Sequence, residues 1–356
     1  MAASGSAVGL GNIWGFPTNT ATNGGAAFLF TYLVLAFALG YPALMAELII
    51  GRHTRSNAVA ALQSISTGKR TRYLALAIGL LGILTVSLIL SFYAIVSGWM
   101  MAFFLDPLAR LLGMTSLSGW LTTDTEFRNA IFVVIFMVFT VLIITAGVKD
   151  GIEKWASRLM PSLIAILILL ILYVFTLPGA MDGLRAYLVP DFSRVADPQL
   201  LINAMGQAFF SLSLGVGTML VYGSYISKDE NLPVVGSLVA LLDVGIAVLA
   251  GLLILPAMYV ALESGVIGAI ITLISLVIVF NFDPLFDWVV NFTTERSQPL
   301  LSLFICVFAA WIWRRNEILD EIRQGSPDAE EGIFWKIWPF YVKFVCPLAI
   351  LAVYFQ

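Results

Sequence analysis

Charged residues are scarce in this sequence: Asp, Glu, Lys and Arg make up 12% of 356 residues, while hydrophobic residues make up 60%. Soluble globular domains contain about 25% charged residues. No soluble fold of this size buries so much apolar surface, so lipid must be the solvent for much of the chain. The composition therefore predicts an integral membrane protein.

Histidine and cysteine are almost absent as well. The single histidine, His53, lies in a basic loop and cannot by itself form a His-based metal site or a catalytic triad. Cys306 and Cys346 lie in apolar runs, where packing is a commoner role than a disulfide or a metal pair. There is no arginine-rich arm, which argues against a nucleic-acid partner. The apolar segments hold no nucleophile beside a base and no paired carboxylates, so we do not expect an enzyme.

Long apolar runs dominate the sequence, and a membrane-spanning helix needs roughly 20 such residues. The runs are too long and too uniformly apolar for barrel strands, which alternate over about ten residues. Two runs, 2–20 and 200–227, are interrupted by glycine. The sequence therefore predicts an all-α membrane protein. The uninterrupted runs lie near 27–50, 73–105, 130–147, 159–177, 234–262, 266–282, 297–313 and 337–355.

Lys and Arg in the short loops predict the orientation, because such loops stay in the cytoplasm. Basic residues concentrate in the loops near 52–72, 149–158 and 314–336. The loops at 113–128 and 178–199 are richer in Asp, Pro, Ser and Thr, and we expect them outside. This assignment places the N-terminus in the cytoplasm.

Near the C-terminus, the loop charges and the number of apolar runs predict different orientations. Alternating spans bring the run that ends at Leu262 to the outside, whereas the basic loop at 314–336 should lie inside. An odd number of spans should separate them, yet two apolar runs, 266–282 and 297–313, lie between. Either one of these runs does not span the membrane, or a span is missing from the chain.

The two interrupted segments carry Gly-x-Gly at mid-depth, at Gly9–Gly11 and at Gly215–Gly217. Small residues at such places can simply let helices pack closely. Here, however, each break falls in the first segment of a five-segment half, which is typical of the binding site of an inverted-repeat transporter. We therefore predict irregular backbone at Val8–Gly11 and at Ser213–Gly217, where carbonyls and amides can face a ligand.

Three polar residues within the apolar runs need a partner or a cavity. Glu47, near the end of the second segment, is expected to pair with a broken segment. Asp243 lies deeper, and either a cation site or a structural role remains open. Tyr93 is interpreted as a core residue, or as a hydroxyl that reaches a ligand carboxylate.

These motifs resemble the neurotransmitter:sodium symporter family, in particular its bacterial amino-acid branch. The resemblance implies an inverted-repeat transporter fold of five plus five helices with two broken helices, incomplete in the second repeat. Broken helices around a midplane binding site are already known from this family, so that mechanism is the family's own. The matching stretches are 5–17, 23–28, 47–52, 151–154 and 210–215.

The resemblance also implies one transmembrane transporter domain over 1–356. Its first repeat would span 1–178, and a truncated second repeat would span 200–313. An extra C-terminal helix would follow at 334–355.

A first sodium site is implied at Ala7, Asn12, Ser211 and Asp243, with the substrate carboxylate completing the shell. All-oxygen ligation suits a hard cation. The amides of Leu10 and Gly11 and the Tyr93 hydroxyl would meet the carboxylate, while other pocket residues would hold the ammonium group and the side chain. The residues implied to contact substrate are Ala7, Leu10, Gly11, Ile89, Tyr93, Phe210, Ser211, Ser213 and Val216.

The chain departs from the family pattern at three places. Gly15 stands where many relatives carry the arginine of an external ion pair. Asp243 stands where the family often has an amide, so the extra negative charge could remove a chloride requirement. After Leu262 the sequence runs directly into a segment that resembles the ninth helix, so the eighth helix is expected to be missing. The second sodium site would then keep only the carbonyls of Gly5 and Val8.

The implied function is sodium-coupled symport of a neutral hydrophobic or aromatic amino acid across the plasma membrane of a bacterium by alternating access. Lipid and a small amino acid are the implied partners, and the sequence does not indicate an oligomeric state. The alternative is a truncated homologue that does not transport.

Overall fold

The computed structural model describes residues 8–123, 125–189, 191–264 and 284–355. Helices make up most of these ranges, and no β-strand occurs within them. The structure therefore agrees with the predicted all-α architecture.

Several sequence predictions fall outside the described residues. They include the sodium-site positions Gly5 and Ala7, the apolar run 266–282, and the junction where the eighth helix is expected to be missing.

The first half of the described chain contains a short helix at its start, four long helices and shorter connecting helices. Helix α1 begins with a π-helical turn at Gly11–Gly15 and continues as Phe16–Thr22. The helices that follow are α2 (Ala26–Thr54), α3 (Ala58–Ser64), α4 (Lys69–Leu111), α5 (Thr115–Thr122), α6 (Glu126–Thr145) and α7 (Asp150–Val174).

The second half, like the first, has a broken segment that is followed by a long helix. Two short helices, α9 and α10, stand in place of one continuous span. The helices are α8 (Ala180–Leu188), α9 (Pro198–Ser211), α10 (Thr218–Tyr225), α11 (Leu232–Ser264), α12 (Trp288–Ile312), α13 (Arg315–Arg323) and α14 (Ile333–Tyr354).

Side-chain caps explain where several helices begin. Asn57 accepts a hydrogen bond from the Ala60 N–H at 3.0 Å at the start of α3, and Asp197 accepts one from the Gln199 N–H at 3.0 Å at the start of α9. Such caps satisfy N–H groups that have no partner within the helix. Pro198 follows at the first helical position, where its missing N–H costs nothing.

Within the described ranges, six helices are long and apolar enough to cross a membrane. They are α2, α4, α6, α7, α11 and α14. The pair α12 and α13, bent by 99° at their junction, passes the same test as a unit. Helix α4 has 43 residues, so at 1.5 Å per residue it is about 65 Å long and extends well beyond a hydrocarbon core of about 30 Å.

The break predicted in the second interrupted segment is confirmed. Helix α9 ends at Ser211 and α10 begins at Thr218. Between them the backbone has positive φ angles at Ser213 (53°), Gly215 (82°) and Gly217 (80°). Positive φ is readily available only to glycine, so the two glycines supply most of the turn.

The break predicted in the first segment is shorter than expected over the described residues. Val8 and Gly9 are non-helical, but Leu10 has φ −59° and ψ −29° and Gly11 begins the π-helical turn. The prediction of irregular backbone at Leu10 and Gly11 is therefore wrong. A glycine with negative φ joins a helix at a modest cost, so its presence alone did not define the end of the break.

The largest buried core joins the two halves of the molecule. Leu44 from α2, Phe209 from α9, Leu301 from α12 and Val342 from α14 are all fully buried in one cluster. Cys306 and Cys346 belong to the same cluster and are free thiols with 0% exposure. The packing role predicted for the two cysteines is therefore confirmed.

Helices α2 and α10 approach each other through glycine. A Cβ atom on Gly51 would lie 2.0 Å from the Leu220 carbonyl oxygen, and one on Gly223 would lie 2.6 Å from the Leu48 carbonyl oxygen. No side chain fits at either position. The contact fixes the half-helix α10 against the first half of the chain.

A buried ion pair closes the end of α2. The Arg52 Nε lies 2.9 Å from the Glu321 carboxylate, and both side chains are almost fully buried. Arg52 also donates to the Glu230 carbonyl oxygen at 2.8 Å. Because a buried charge is stable only when it is paired and hydrogen-bonded, these contacts explain how an arginine fits inside the protein.

Candidate functional site

The end of the first break meets the last turn of α9. Asn12 and Ile13 donate the first helical hydrogen bonds of α1, both to the Gly9 carbonyl oxygen, at 3.2 and 3.3 Å. Among the described residues, the N–H groups of Leu10 and Gly11 lie before these first helical bonds, at the end of the helix where N–H groups can meet a ligand. The two predicted amides are in a suitable place for a carboxylate even though their backbone is helical.

Asn12 is the centre of a buried polar cluster, which we define as Asn12, Ser211 and Asp243. Its Nδ2 atom donates to Ser211 Oγ at 2.9 Å, to the Asp243 carbonyl oxygen at 2.9 Å and to Asp243 Oδ1 at 2.7 Å. Its Oδ1 accepts from the Gly9 N–H at 2.9 Å. The side chain thus ties α1 to α9 and α11.

Ser211 completes the polar cluster. Its hydroxyl donates to Asp243 Oδ2 at 2.8 Å, and the Tyr32 hydroxyl lies 3.5 Å from Ser211 Oγ. All three cluster residues are at most 1% exposed. Among the described residues, the Asp243 carboxylate is therefore balanced by hydrogen bonds from neutral groups rather than by a basic side chain.

The structure thus brings together three of the four residues predicted for the first sodium site. They come from three segments that are far apart in the sequence, and they place hydroxyl, carboxylate and carbonyl oxygens at one point. Such a donor set suits a hard cation. Ala7, the fourth residue, lies outside the described ranges.

An aromatic group lies beside the start of α1. The rings of Tyr93 and Phe210 meet edge to face, with centroids 6.1 Å apart. A Cβ atom on Gly11 would lie 3.2 Å from the Phe210 ring, and one on Gly9 would lie 3.6 Å from the Tyr93 hydroxyl. The Gly11 backbone is within hydrogen-bonding range of that hydroxyl. Tyr93, Phe210 and Gly11 therefore lie around one region; their contact with substrate stays a prediction.

The remaining predicted substrate residues lie around the second break or on α4. The Ser213 N–H donates to the Phe210 carbonyl oxygen at 3.0 Å, so Ser213 follows directly on the aromatic wall. Val216 is 6% exposed, and its carbonyl oxygen would lie 3.6 Å from a Cβ on Gly82 of α4. Ile89 is partly buried against the main core.

Val8 is the described member of the second predicted sodium site. Its side chain packs against a small apolar cluster formed by α7 and α11. Gly5, the other member, is outside the described ranges. This second site therefore stays a prediction.

Glu47 pairs with the second break, as predicted. Its Oε1 atom accepts a hydrogen bond from the Gly215 N–H at 2.6 Å. Gly215 also lies against α12, because a Cβ atom there would be 2.4 Å from the Gln298 carbonyl oxygen and 2.9 Å from Ser302 Oγ. Gln298 Oε1 and Ser302 Oγ are buried without a hydrogen-bond partner among the described residues. We call these four residues the hinge cluster.

Sequence reasoning assigned no role to Gln207, yet it links α9 to α1. Its Nε2 donates to the Gly11 carbonyl oxygen at 2.7 Å, and its Oε1 accepts from Asn19 at 3.2 Å. A Cβ atom on Gly15 would lie 3.0 Å from the same Oε1. The signal that could have identified Gln207 from the sequence is an amide side chain in an apolar segment, one helical turn before Ser211.

A cavity of about 160 Å³ opens beyond Phe210, between α1, α9 and α12. We call it the Glu295 cavity. Gly15, the position at which the family resemblance implies an arginine, is part of its wall. The lining residues are Trp14, Gly15, Thr18, Asn19, Asn203, Gln207, Phe210, Val290, Asn291, Thr294 and Glu295.

A family model matches much of the sequence. The model for the sodium:neurotransmitter symporter family matches residues 1–129 and 114–267. These matches cover more than half of the chain, which therefore belongs to the sodium:neurotransmitter symporter family.

Individual relatives extend the comparison. The sodium-dependent transporter YhdH of Bacillus subtilis is 37% identical over 264 residues, which are 73% of this chain and 57% of YhdH. The sodium- and chloride-dependent taurine transporter of Bos taurus is 30% identical over 312 residues, which are 75% of this chain and 49% of that protein. The chain therefore spans about half of the length of the curated relatives it matches.

A solved structure matches the fold. The crystal structure of MhsT in complex with L-phenylalanine is 30% identical in sequence, with a TM-score of 0.82, and the match covers 99% of this chain and 96% of MhsT. The inverted-repeat transporter fold with broken helices, expected from the resemblance, is therefore the fold of this protein.

Proposed function

We propose that this chain carries out sodium-driven symport of neutral hydrophobic or aromatic amino acids by alternating access. The proposal places it in the plasma membrane of a bacterium with the N-terminus in the cytoplasm, in agreement with the basic loops. The observation that carries it is the polar cluster, where Asn12, Ser211 and Asp243 from three distant segments meet at the end of a broken helix.

In this proposal sodium is a transported ion that binds at the polar cluster. The Asn12 Nδ2 group now lies among three oxygen atoms of Ser211 and Asp243. Rotation of the amide would turn Asn12 Oδ1 toward those oxygens, so that the ion replaces the amide hydrogens between them. The negative charge of Asp243 favours a cation there, because a buried carboxylate without a counter-charge is costly.

The substrate would lie beside the cluster, with its carboxylate at the amides of Leu10 and Gly11. The walls supplied by Tyr93 and Phe210 favour an apolar or aromatic side chain. The presence of L-phenylalanine in the MhsT complex supports this substrate class.

We also propose that transport needs no chloride. The carboxylate of Asp243 already supplies a buried negative charge within the polar cluster. The Bos taurus relative, in contrast, is named as chloride-dependent. Equal uptake in chloride and in gluconate medium is the expected result, and a strict requirement for chloride would contradict this part of the proposal.

The central experiment measures uptake of labelled L-phenylalanine into vesicles that contain this chain. We expect uptake that requires an inward sodium gradient and that unlabelled hydrophobic amino acids inhibit. Vesicles without protein and a potassium gradient of equal size serve as controls. Uptake equal to these controls would favour the second candidate, a homologue that does not transport.

The second candidate rests on one observation. The loop charges require an odd number of spans between Leu262 and the basic loop at 314–336, whereas two apolar runs, 266–282 and 297–313, lie between them. In a non-transporting homologue the polar cluster would serve only to hold α1 against α9 and α11. Sodium would then leave both the thermal stability and the binding of L-phenylalanine unchanged.

A further inference from the structure

Helix α14 carries two lysines, Lys336 and Lys343, although it is apolar enough to cross a membrane. They are seven residues apart, which is close to two helical turns, so they share one face of the helix. Ile337 and Phe340 belong to the same region of the helix and are 54% and 62% exposed. Exposed apolar residues on a membrane helix contact lipid, and lipid tails give an ammonium group no partner. The two lysines therefore need a polar partner that reaches this face.

Aromatic rings hold the ammonium group of Lys343. Its Nζ atom lies 4.5 Å from the ring centroid of Trp311 and 5.7 Å from that of Phe344. The Trp311 Nε1 donates to the Lys343 carbonyl oxygen at 3.0 Å, which fixes the indole in place. Rings attract a cation, but they do not accept the three hydrogen bonds that an ammonium group can donate. Among the described residues, the Lys343 side chain has neither a hydrogen bond nor an ion pair.

Lys343 lies at the level where α12 leaves the membrane. Its carbonyl oxygen bonds Trp311, in the last turn of α12, and the exposed Arg314 follows Trp311 by three residues. Tryptophan is typical of the boundary between lipid and water. A long lysine side chain at this depth brings its charge to the lipid headgroups. The partner of Lys343 is therefore expected at the headgroup level.

A third cation lies at the start of α14. The guanidinium carbon of Arg315, the first residue of α13, lies 5.4 Å from the ring centroid of Trp335. Trp335 immediately precedes Lys336, so the packing brings Arg315 to the end of α14 that carries the lysines. Arg315 and Lys336 are exposed. We call Arg315, Lys336 and Lys343 the basic face.

The acids near the basic face do not neutralise it. Glu317 pairs with Arg314 at 3.8 Å, and Glu330 pairs with Arg323. Glu331, in the loop before α14, forms no ion pair among the described residues. The three cations of the basic face likewise have no acid partner within the part of the chain that the structure describes. The surface therefore has a positive charge beside an apolar face.

We propose that the basic face binds the headgroup phosphate of an anionic phospholipid, with Trp311 and Phe340 against its glycerol and upper acyl chains. Positive charge selects an anionic headgroup, and the exposed aromatic rings beside it fit a lipid better than a free anion. The binding of this lipid does not depend on the proposed function. Only its assignment to the cytoplasmic leaflet rests on the orientation given there.

The test titrates phosphatidylglycerol, which is anionic, into the full chain in detergent micelles. Native mass spectrometry measures the lipid concentration at which half of the protein carries one bound lipid. Phosphatidylcholine with the same acyl chains is the comparison, because its headgroup has no net charge. We expect phosphatidylglycerol to reach half-saturation at a concentration about tenfold lower. Equal concentrations for the two lipids would overturn the proposal.

Substitutions locate the site on the chain. Lys343→Gln should raise the half-saturating concentration of phosphatidylglycerol about fivefold, and the double variant with Lys336→Gln about 25-fold, the effects of one and two cations near an anionic headgroup. Lys343→Arg should bind as the native chain does. Lys69→Gln is the matched control, since Lys69 is an exposed lysine at the start of α4, in another basic loop. Native binding in the double variant, or an equal loss in Lys69→Gln, would overturn the proposal.

Two further measurements exclude other occupants. Inorganic phosphate should displace phosphatidylglycerol no more than chloride does at equal ionic strength; stronger displacement would indicate a general anion site and overturn the lipid assignment. The same spectra give the fraction of dimer, and loss of dimer in the double variant without loss of lipid would assign the face to a second copy of the chain.

The result stays informative if one variant does not fold. Lys336 is exposed, so Lys336→Gln alone should fold and should show the fivefold change by itself. Native lipid binding in this folded variant would overturn the role of Lys336. If phosphatidylglycerol binds selectively but sodium-driven uptake is absent, the proposed function fails and the lipid site stands. If uptake is present without selective lipid binding, the reverse holds.

Discussion

The polar cluster and the hinge cluster both connect the first half of the molecule to the broken segment of the second, but they use a buried carboxylate differently. In the polar cluster, Asp243 receives hydrogen bonds from Asn12 and Ser211 at 2.7 and 2.8 Å. In the hinge cluster, Glu47 accepts from the backbone of Gly215, while Gln298 Oε1 and Ser302 Oγ have no partner among the described residues.

The difference indicates two roles. Side-chain groups in the polar cluster can turn toward an ion and away from each other, so the cluster can exchange its hydrogen bonds for ligation. In the hinge cluster, the Glu47 carboxylate instead accepts a hydrogen bond from the Gly215 N–H, where the backbone is left-handed. This carboxylate therefore stabilises the backbone of the break. Three predictions test this comparison.

The largest effect is expected from Gly215→Ala. Gly215 has φ 82°, and an added Cβ would lie 2.4 Å from the Gln298 carbonyl oxygen. Left-handed strain and displacement of α12 should together destabilise the protein by roughly 2–5 kcal/mol. The measurement is thermal unfolding in detergent.

Gly119→Ala is the matched control for this substitution. Gly119 lies in α5, and nothing is within 4 Å of an added Cβ. Alanine there should be neutral or stabilising, since it favours helix more than glycine does. Similar unfolding temperatures for the two variants would mean that the hinge cluster does not require the left-handed backbone of Gly215.

Asn12→Ala should have the next largest effect. We expect it to weaken sodium binding, and not only to lower the stability of the fold. It removes the amide that joins Ser211 to Asp243. We expect the sodium concentration for half-maximal L-phenylalanine binding to rise about 10–100-fold. This change corresponds to the loss of one ligand that contributes roughly 1.5–3 kcal/mol to the free energy of sodium binding. Equilibrium binding at varied sodium concentration measures it, and a curve like that of the native chain would rule out sodium at the polar cluster.

The smallest effect is expected from Ser302→Ala, compared with the same change at Ser211. Ser302 Oγ is buried without a partner among the described residues, so its removal should change the free energy of unfolding by less than about 0.5 kcal/mol. Ser211 Oγ bonds both Asn12 and Asp243, and Ser211→Ala should cost about 1–3 kcal/mol because it leaves buried groups unpaired. Chemical denaturation in mixed micelles measures the free energy of unfolding of both variants. An equal decrease in the two variants would contradict the distinction between the clusters.

Much of the fold could be predicted from the sequence. Long apolar runs indicate helices whatever their partners, because a backbone in lipid must satisfy its own hydrogen bonds. The same reasoning located the break at Ser213–Gly217, where glycines provide the positive φ angles. It did not locate the end of the break near Gly11, because a glycine there adopts helical angles once α1 packs against α9.

The candidate site divides in the same way. Asp243, an acid within an apolar run, had to find a partner or a cavity, so the sequence indicated it by itself. Asn12 and Ser211 came only from the family resemblance. Gln207 and Glu295 acquire their importance only from neighbours distant in the sequence: Gly11 for the first, and Gly206 with the cavity walls for the second.

The sequence by itself determined that this chain is a helical membrane protein with two breaks, because hydrophobicity and glycine act locally. Only the tertiary structure decided that the carboxylate of Glu47 would hold the backbone of Gly215, whereas that of Asp243 would lie among side-chain donors. It also decided that Glu295 would face a cavity with no basic side chain in its described walls. The physical reason is that the energy of a buried charge depends on which groups surround it, and the packing of distant helices supplies those groups.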